Sequence, residues 1–215
     1  VLDAEEMDLV AAGCLEHDVI CITDEVYEQL VYDGEHLRMR DRPGMAERTI
    51  TLSSLGKTFS FTGWKIGWAV APPPLADAVR AAHQFLTYAV AHPLQHAAAA
   101  ALELPASHFE ELRREYRERR DRLVDGLAAA GFGVRPPAGA YFVLADHSPF
   151  GFEDDWAFCR HLVTEVGVAA IPPSAFHRTP GAGRHLARFA FCKDLATIDE
   201  AVRRLAERLG PRRPA

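Results

Sequence analysis

The sequence contains no apolar run of about 18 residues, which is the length that a membrane-spanning helix requires. It also lacks an excess of positive charge, because 24 Lys and Arg residues stand against 30 Asp and Glu residues and the net charge is −6. A mildly acidic chain gives no reason to expect a nucleic acid or a membrane surface as partner. Residues 1–17 carry acidic side chains, whereas a signal peptide would carry basic residues and an apolar core. The sequence therefore favours neither a membrane protein nor a nucleic-acid-binding protein.

Cysteine is scarce, and no two cysteines are spaced as in a CxxC motif. The four cysteines are Cys14, Cys21, Cys159 and Cys192. A zinc site or a dithiol redox motif therefore has little support. Each cysteine lies in an apolar context, so we expect buried free thiols in a reducing compartment. His83, His92 and His96 include only one pair spaced by four residues and have no carboxylate nearby, so we expect no metal site there.

The remaining composition is typical of a globular protein, with 48% hydrophobic and 25% charged residues. A chain of 215 residues can bury a sizeable core without disulfides. A capping-box spacing that starts at Asp3 predicts a helix over residues 3–16. Apolar runs bounded by polar residues predict buried strands at 19–23, 49–53 and 66–71. Helices, apolar strands and polar loops that alternate in this way predict an α/β fold with a covered sheet.

The pattern differs in the second half of the sequence. Residues 75–104 have a helical pattern with a break near Pro93. A capping-box spacing at Ser107 predicts a long helix that begins there and ends near Gly131. Shorter elements follow, with strands predicted at 133–135, 141–145, 168–171 and 187–192 and helices predicted at 154–165 and from Thr197 onward. This composition is typical of an α+β domain.

The change from one pattern to the other predicts a domain boundary between residues 104 and 105. The first domain, residues 1–104, would hold a mostly parallel sheet with helices. The second domain, residues 105–215, would be a smaller α+β unit.

A polar segment between the second and third predicted strands contains Ser54, Lys57 and Lys65. A lysine amine that is desolvated or placed beside another cation loses its proton more readily and can then form a Schiff base. Ser54 and Lys65 could supply a hydroxyl and a positive charge to a phosphate. The segment is not a P-loop, because the position five residues before Gly56 holds Thr51 in place of glycine. An ordinary surface loop with lysines remains the alternative.

A second polar segment, with Asp24 and Tyr27, follows the strand predicted at residues 19–23. Ligands of open α/β sheets bind at the carboxyl ends of the strands, so both side chains are candidate ligand contacts. A carboxylate there could pair with a protonated ring nitrogen, and a phenol could bond to a phenolic oxygen. The alternative is an acidic helix N-terminus, which the helix dipole would favour.

Three motifs in order along the chain resemble those of one family: Asp24–Tyr27, Ser54–Lys57 and Gly63–Gly67. They are similar to the motifs of pyridoxal-phosphate aminotransferases of fold type I. Within class I/II they resemble most the branch of kynurenine, glutamine and methionine aminotransferases. Further similar segments are found at 139–142, 167–172 and 188–191. The resemblance covers essentially all 215 residues and implies part of the large cofactor-binding domain followed by the small carboxyl-terminal domain.

The resemblance implies a role for each candidate cofactor residue. Lys57 would bind pyridoxal 5′-phosphate covalently as a Schiff base and would move the proton between the substrate Cα and the cofactor C4′. Asp24 would keep the pyridine nitrogen protonated, which makes the ring an electron sink. Tyr27 would bind the cofactor O3′, and Ser54 and Lys65 would bind its phosphate. Many relatives carry Arg in place of Lys65, and Lys keeps the charge but loses the bidentate fork.

The resemblance also implies how substrates are bound. Arg188 would hold the substrate α-carboxylate through two parallel hydrogen bonds. Tyr88 falls where relatives line the substrate pocket, and helix packing is the alternative for this ring. The implied partners are small molecules, an amino acid and a 2-oxo acid. For the full-length parent the resemblance implies a cytoplasmic homodimer.

The amino-terminal half of the family has no counterpart in this sequence, which begins at Val1. We therefore expect the carboxyl-terminal part of a longer enzyme, and we expect this part alone to be inactive. Amino transfer is the leading function. The same site could instead support β-elimination, as in cysteine-S-conjugate β-lyases, and a catalytically incomplete fragment is a third possibility. A Schiff-base aldolase of the barrel type is disfavoured because it would require eight βα units.

Overall fold

The computed structural model describes residues 1–209. The chain forms two compact units, Val1–Leu112 and Arg113–Ala215. Among the residues described, no helix combines the length and the apolar character needed to cross a membrane. The domain boundary predicted between residues 104 and 105 stays a prediction.

Helices and strands alternate in the first unit, as the sequence predicts. In chain order they are α1 (Ala4–Glu16), β1 (Cys21–Asp24), β2 (Thr49–Ser54), α2 (Leu55–Thr58), β3 (Gly67–Val70), α3 (Pro73–Leu86) and α4 (His92–Leu102). β1 pairs in parallel with β2, and β2 pairs antiparallel with β3. The α/β class is confirmed, and the described part of the sheet is mixed.

The capping box predicted for α1 is confirmed. The Asp3 side chain accepts a hydrogen bond from the Glu6 backbone N–H at 2.9 Å, and the Glu6 side chain accepts one from the Asp3 backbone N–H at 2.9 Å. These two bonds satisfy backbone donors that the first turn of a helix leaves unpaired. Met7 and Ala11 of α1 are buried and pack in a cluster with Met45.

β2 is the central strand of the first sheet, with β1 and β3 on its two sides. Thr49, Ile50 and Thr51 are all buried, as expected for a strand with neighbours on both edges. α2 follows β2 directly, and its first residue, Leu55, is completely buried against Ile66. These packed residues fix both ends of the polar segment that joins β2 to β3.

The second unit is α+β, as predicted. α5 (Ala106–Ala129) continues into it from the first unit. It is followed by β4 (Gly133–Val134), β5 (Phe142–Asp146), α6 (Asp155–His161), β6 (Leu186–Ala190) and α7 (Leu195–Arg208). The strand order is β4–β5–β6, and both pairings are antiparallel. Phe158, Phe191 and Leu205 are completely buried at the centre of this unit.

Two predicted helix starts are wrong. α5 begins at Ala106, so Ser107 lies inside the first turn and is not the N-cap. α7 is capped by Asp194, whose side chain accepts a hydrogen bond from the Thr197 backbone N–H at 2.7 Å. Asp194 has the extended backbone of an N-cap, whereas Thr197 is already helical.

The strand predicted at 168–171 is also wrong. Ile171 forms an isolated antiparallel bridge with Arg188, and no strand of several residues is assigned there among the residues described. Pro172 follows directly and has no N–H to donate to a neighbouring strand, which ends the pairing.

The prediction of four buried thiols holds for one cysteine only. All four cysteines are free, and Cys159 is buried. Burial, with a smaller effect from the nearby Asp155 carboxylate, raises the pKa of the Cys159 thiol to about 12. Cys14, Cys21 and Cys192 are partly exposed, and Cys14 and Cys21 lie at the margin of the cluster of Met7, Ala11 and Met45.

Candidate functional site

Asp24 is the last residue of β1 and stands at the carboxyl end of the parallel pair of strands. Its side chain is exposed, and its Oδ1 accepts a hydrogen bond from the Val26 backbone N–H at 3.3 Å. Residues 26–29 form turns, so the alternative of an acidic helix N-terminus is wrong. The carboxylate is therefore placed where ligands of open α/β sheets bind.

Tyr27 lies inside the turn that follows β1 and is half-buried. The backbone N–H of Glu28 donates to the Glu25 carbonyl at 2.9 Å, and the N–H of Leu30 donates to the Tyr27 carbonyl at 2.8 Å. The Glu25 backbone N–H donates to the Leu52 carbonyl of β2 at 2.8 Å. The turn is thereby joined to the edge of the sheet, close in sequence to Asp24.

Ser54 and Lys57 are positioned by the junction between β2 and α2. Ser54 occupies the N-cap position of α2, yet its hydroxyl makes no capping bond to the helix. The backbone N–H of Leu55 donates to the Ile66 carbonyl at 3.1 Å, which holds the start of α2 against the end of the polar segment. Lys57 follows within the same short helix and is half-buried.

Lys65 has a left-handed backbone conformation, with φ 56° and ψ 38°. A residue with a side chain adopts this conformation at a cost of about 1–3 kcal/mol, and such positions cluster at functional sites. Lys65 ends a 3-10 turn at Thr62–Trp64, in which the Trp64 ring stacks on Phe61 with centroids 4.4 Å apart. The next residue, Ile66, is buried, so the strained backbone leads from an exposed lysine into the core.

A cavity of about 270 Å³ brings three of the predicted residues together. It is lined by Ser54, Gly56, Lys57, Thr62, Lys65, Ile66 and Gly67. A Cβ at Gly56 would stand 3.3 Å from Thr62 Cα and 3.6 Å from both Ser54 Oγ and Thr62 Oγ1, so Gly56 lies close to both hydroxyls. Two amines and two hydroxyls around such a cavity suit an anion such as a phosphate, and this favours a binding site over an ordinary lysine-bearing loop. Asp24 and Tyr27 do not line this cavity.

Tyr88 follows α3 and its capping residue Thr87, and it too has a left-handed backbone, with φ 68°. Its side chain is 85% exposed within the described chain. The alternative of helix packing for this ring is therefore wrong. Tyr88 does not line the cavity of Ser54 and Lys57.

Arg188 belongs to the second unit, where it lies in β6. Its backbone N–H donates to the Ile171 carbonyl at 3.0 Å and its carbonyl accepts from the Ile171 N–H at 3.0 Å. The guanidinium carbon lies 4.5 Å from the ring centroid of Phe142 and 4.7 Å from that of Phe176. Both distances lie within the range of cation–π interactions, so the two rings contribute to holding the guanidinium in place.

The Arg188 Nε is buried and has no hydrogen-bond partner within the part of the chain that the structure describes. A buried donor left unsatisfied is costly, so this atom points to a ligand with an acceptor oxygen. A carboxylate suits the guanidinium because both are planar forks. A cavity of about 540 Å³ in the second unit, along α7 and β6, does not include Arg188 among its lining residues.

Sequence reasoning missed one residue of the site and one contact close to it in the chain. Thr62 lines the cavity, and its position inside the segment that carries Lys57 was a signal that could have identified it. The buried carboxylate of Glu25 contacts His36, which lies eleven residues further along the chain. No local spacing rule connects residues so far apart, so this contact had no signal in the sequence.

Nearly all of the chain matches a known family. Residues 1–205 match the family model of aminotransferase class I and II. The chain is 48% identical over 216 residues to the probable N-succinyldiaminopimelate aminotransferase DapC of Mycobacterium tuberculosis, a match over 96% of this chain and 54% of that protein. It is 39% identical over 227 residues to the kynurenine–oxoglutarate transaminase of Dictyostelium discoideum, over 94% of this chain and 52% of that protein.

Solved structures give the same result. The N-succinyldiaminopimelate aminotransferase of Mycobacterium tuberculosis superimposes with a TM-score of 0.92 at 48% identity, over 96% of this chain and 54% of that one. Escherichia coli YbdL, for which a methionine aminotransferase function was identified, superimposes with a TM-score of 0.90 at 36% identity, over 96% and 54%. The chain therefore spans about half the length of the curated relatives it matches.

Proposed function

Because the chain belongs to the class I and II aminotransferases, we propose that it is the carboxyl-terminal part of an enzyme that transfers an amino group from an amino acid to a 2-oxo acid. The cofactor of this proposal is pyridoxal 5′-phosphate. The observation that carries the proposal is the cavity that gathers Ser54, Lys57 and Lys65 at the end of β2. A cofactor that carries both a phosphate and an aldehyde requires an anion-binding group and a nucleophilic amine in one place.

In this proposal, residues of the first unit bind different parts of the cofactor. Ser54 and Lys65 bind the phosphate, and Tyr27 donates a hydrogen bond to O3′. Asp24 holds the proton on the pyridine nitrogen. When bound, the cofactor supplies an electron-withdrawing ring that stabilises negative charge at the substrate Cα. Lys57 would hold the cofactor through its amine and, as the proton carrier, would move a proton between the substrate Cα and the cofactor C4′.

Arg188 binds the substrate α-carboxylate in this proposal. Its unpartnered Nε and the two flanking rings support this assignment, since they leave a fixed guanidinium with a buried donor to satisfy. A bidentate pair orients the substrate as well as binding it. Tyr88, with an exposed ring on a strained backbone, is proposed to line the substrate pocket of the complete enzyme.

We also propose the domain organisation, the cellular compartment and the oligomeric state of the full-length enzyme. The partial coverage of the relatives supports a longer parent, with residues 1–104 in its large domain and residues 105–215 in its small domain. We place the parent in the cytoplasm as a homodimer, in which case the free thiols would be kept reduced. The chain alone lacks half of the expected protein and is proposed to be inactive.

Product analysis of the purified full-length parent tests the function. The enzyme is incubated with pyridoxal 5′-phosphate, 2-oxoglutarate and a panel of amino donors that includes kynurenine, methionine and N-succinyldiaminopimelate. We expect a new 2-oxo acid and glutamate in equal amounts, and we expect Lys57→Ala to abolish both. Lys193→Ala is the matched control and should retain activity. Pyruvate and ammonia from a cysteine conjugate, without amino transfer, would support the β-lyase instead, and no product from any donor would contradict the proposal.

A further inference from the structure

Glu25 is a carboxylate at the end of β1 that is only 7% exposed. It accepts a hydrogen bond from the Thr23 hydroxyl at 2.9 Å, and its Oε2 lies 2.7 Å from His36 Nε2. Burial alone would raise the pKa of Glu25, but hydrogen bonds from His36 and Thr23, the charge of His36 and the Met39 backbone N–H lower it overall. A buried carboxylate is tolerated when it is paired and hydrogen-bonded in this way. Glu25 therefore joins β1 to the chain around His36.

Glu28 anchors the other side of the same turn. Its Oε1 accepts a hydrogen bond at 2.8 Å from the hydroxyl of Ser53, a buried residue of β2. One ligand atom from each of Glu25, Glu28 and His36 lies within 4.8 Å of the others. The two carboxylates and the imidazole thus form one cluster, attached to both strands of the parallel pair.

Tyr27 lies between these two anchors. Residues 26–29 form turns and belong to no helix or strand. Backbone hydrogen bonds join the start of this turn to β2, and the side-chain bonds of Glu25 and Glu28 add two further anchors to it. Hydrogen bonds hold the side chains on both sides of Tyr27. Glu25, two positions before it, bonds to His36, and Glu28, one position after it, bonds to Ser53.

We propose that the Glu25–His36–Glu28 cluster positions the phenol of Tyr27 for the cofactor. This inference rests on the proposed function of Tyr27, because the contacts of the cluster connect it to the turn that carries Tyr27. Glu25 and His36 are positioning residues in this account. Displacement of a group by about 1 Å can cost up to about 100-fold in rate, so a loosened turn should affect turnover strongly.

The test uses the full-length enzyme and a double-mutant cycle. Tyr27→Phe is the reference variant, Glu25→Gln and His36→Gln loosen the cluster, and Glu35→Gln is the matched control because Glu35 is an exposed neighbour of His36. The quantities measured are kcat, KM and the visible absorbance of the bound cofactor as a function of pH. We expect Glu25→Gln and His36→Gln to lower kcat by about 10- to 100-fold and to shift the absorbance in the direction that Tyr27→Phe does.

Non-additivity is the decisive result, because residues that act through one another show coupling. The Tyr27→Phe/Glu25→Gln double variant should be no slower than Tyr27→Phe alone. Additive losses, or a lowered melting temperature with unchanged absorbance and kcat, would show that the cluster is merely structural. If Tyr27→Phe itself changes neither absorbance nor kcat, the proposed function of Tyr27 is wrong and the positioning inference is wrong with it. If Tyr27→Phe changes both and Glu25→Gln changes neither, only the positioning inference is wrong.

Discussion

At the scale of single residues, the role proposed for Asp24 requires a carboxylate, because a neutral amide cannot hold a proton on a ring nitrogen. We expect Asp24→Asn in the full-length enzyme to leave cofactor binding partly intact and to reduce turnover severely. Cofactor titration and steady-state kinetics measure the two effects separately. Asp41→Asn, which alters an exposed carboxylate outside the candidate site, is the control. Turnover of Asp24→Asn close to that of the control would mean that Asp24 serves only the turn after β1.

Arg188 gives a second prediction at this scale. Loss of one partner of a buried, hydrogen-bonded charge pair typically costs about 2–5 kcal/mol. Arg188→Ala should therefore raise the apparent constant for the amino acid substrate by tens-fold or more, while the visible absorbance of the bound cofactor persists. Arg178→Ala, at an exposed arginine of the same unit, should change neither quantity. Unchanged kinetics in Arg188→Ala would place the substrate carboxylate elsewhere.

At the scale of secondary-structure elements, α5 and α7 approach each other closely at Gly126. A Cβ there would lie 2.3 Å from Val202 Cγ2, well inside van der Waals contact. Overpacking of this kind costs about 1–3 kcal/mol, so Gly126→Ala should lower the free energy of unfolding although alanine favours helices. Gly13→Ala in α1, where nothing lies within 4 Å of the new Cβ, is the matched control and should stabilise by about 0.5–1 kcal/mol.

Chemical denaturation followed by far-ultraviolet circular dichroism compares the two glycine variants. The predicted result is opposite signs for Gly126→Ala and Gly13→Ala. A stabilised Gly126→Ala protein would contradict the close approach of α5 and α7.

The elements also show how far the sequence could predict this structure. The positions of the strands in the first unit followed from apolar runs. The predicted burial is wrong for two of them, because only β2 is largely buried, whereas Ile22 of β1 is 64% exposed and Val70 of β3 is 41% exposed in the described chain. The capping box at Asp3 was predictable from spacing, whereas at α7 both Asp194 and Thr197 were suitable caps and only the backbone conformation decides between them. The contact of Glu25 with His36 was not predictable, since the fold creates it between residues that no local pattern relates.

The predicted site residues also differ in how far local sequence could place them. Ser54, Lys57 and Lys65 lie close in the sequence and line one cavity. Arg188 lies in the other unit, and its role rests on the family resemblance and on its own unpartnered Nε. Local sequence therefore predicts the parts of a site that one loop supplies, and it says little about how distant parts meet.

At the scale of the whole molecule, the first unit exposes apolar side chains around β1. Val19 is 48% exposed, Ile20 is 51% exposed and Ile22 is 64% exposed. Exposed apolar residues beside an open strand edge favour association. Together with the partial coverage of the relatives, this leads us to expect that the isolated 215-residue chain is oligomeric or poorly soluble and binds pyridoxal 5′-phosphate weakly or not at all.

Native mass spectrometry and cofactor titration test this expectation on the isolated chain. A monomer of 23.7 kDa that holds the cofactor tightly and transfers amino groups would contradict it, although it would support the family assignment. If addition of the amino-terminal half of the parent restored binding of pyridoxal 5′-phosphate, this would support the expectation directly.

The account depends most on Lys57 as the residue that holds the cofactor. The full-length enzyme, loaded with pyridoxal 5′-phosphate, is reduced with borohydride, digested and mapped by mass spectrometry. We expect one phosphopyridoxyl label, located on Lys57, and no label in Lys57→Ala. A label on Lys65 or Lys193, or no label in an enzyme that is active, would contradict the central claim.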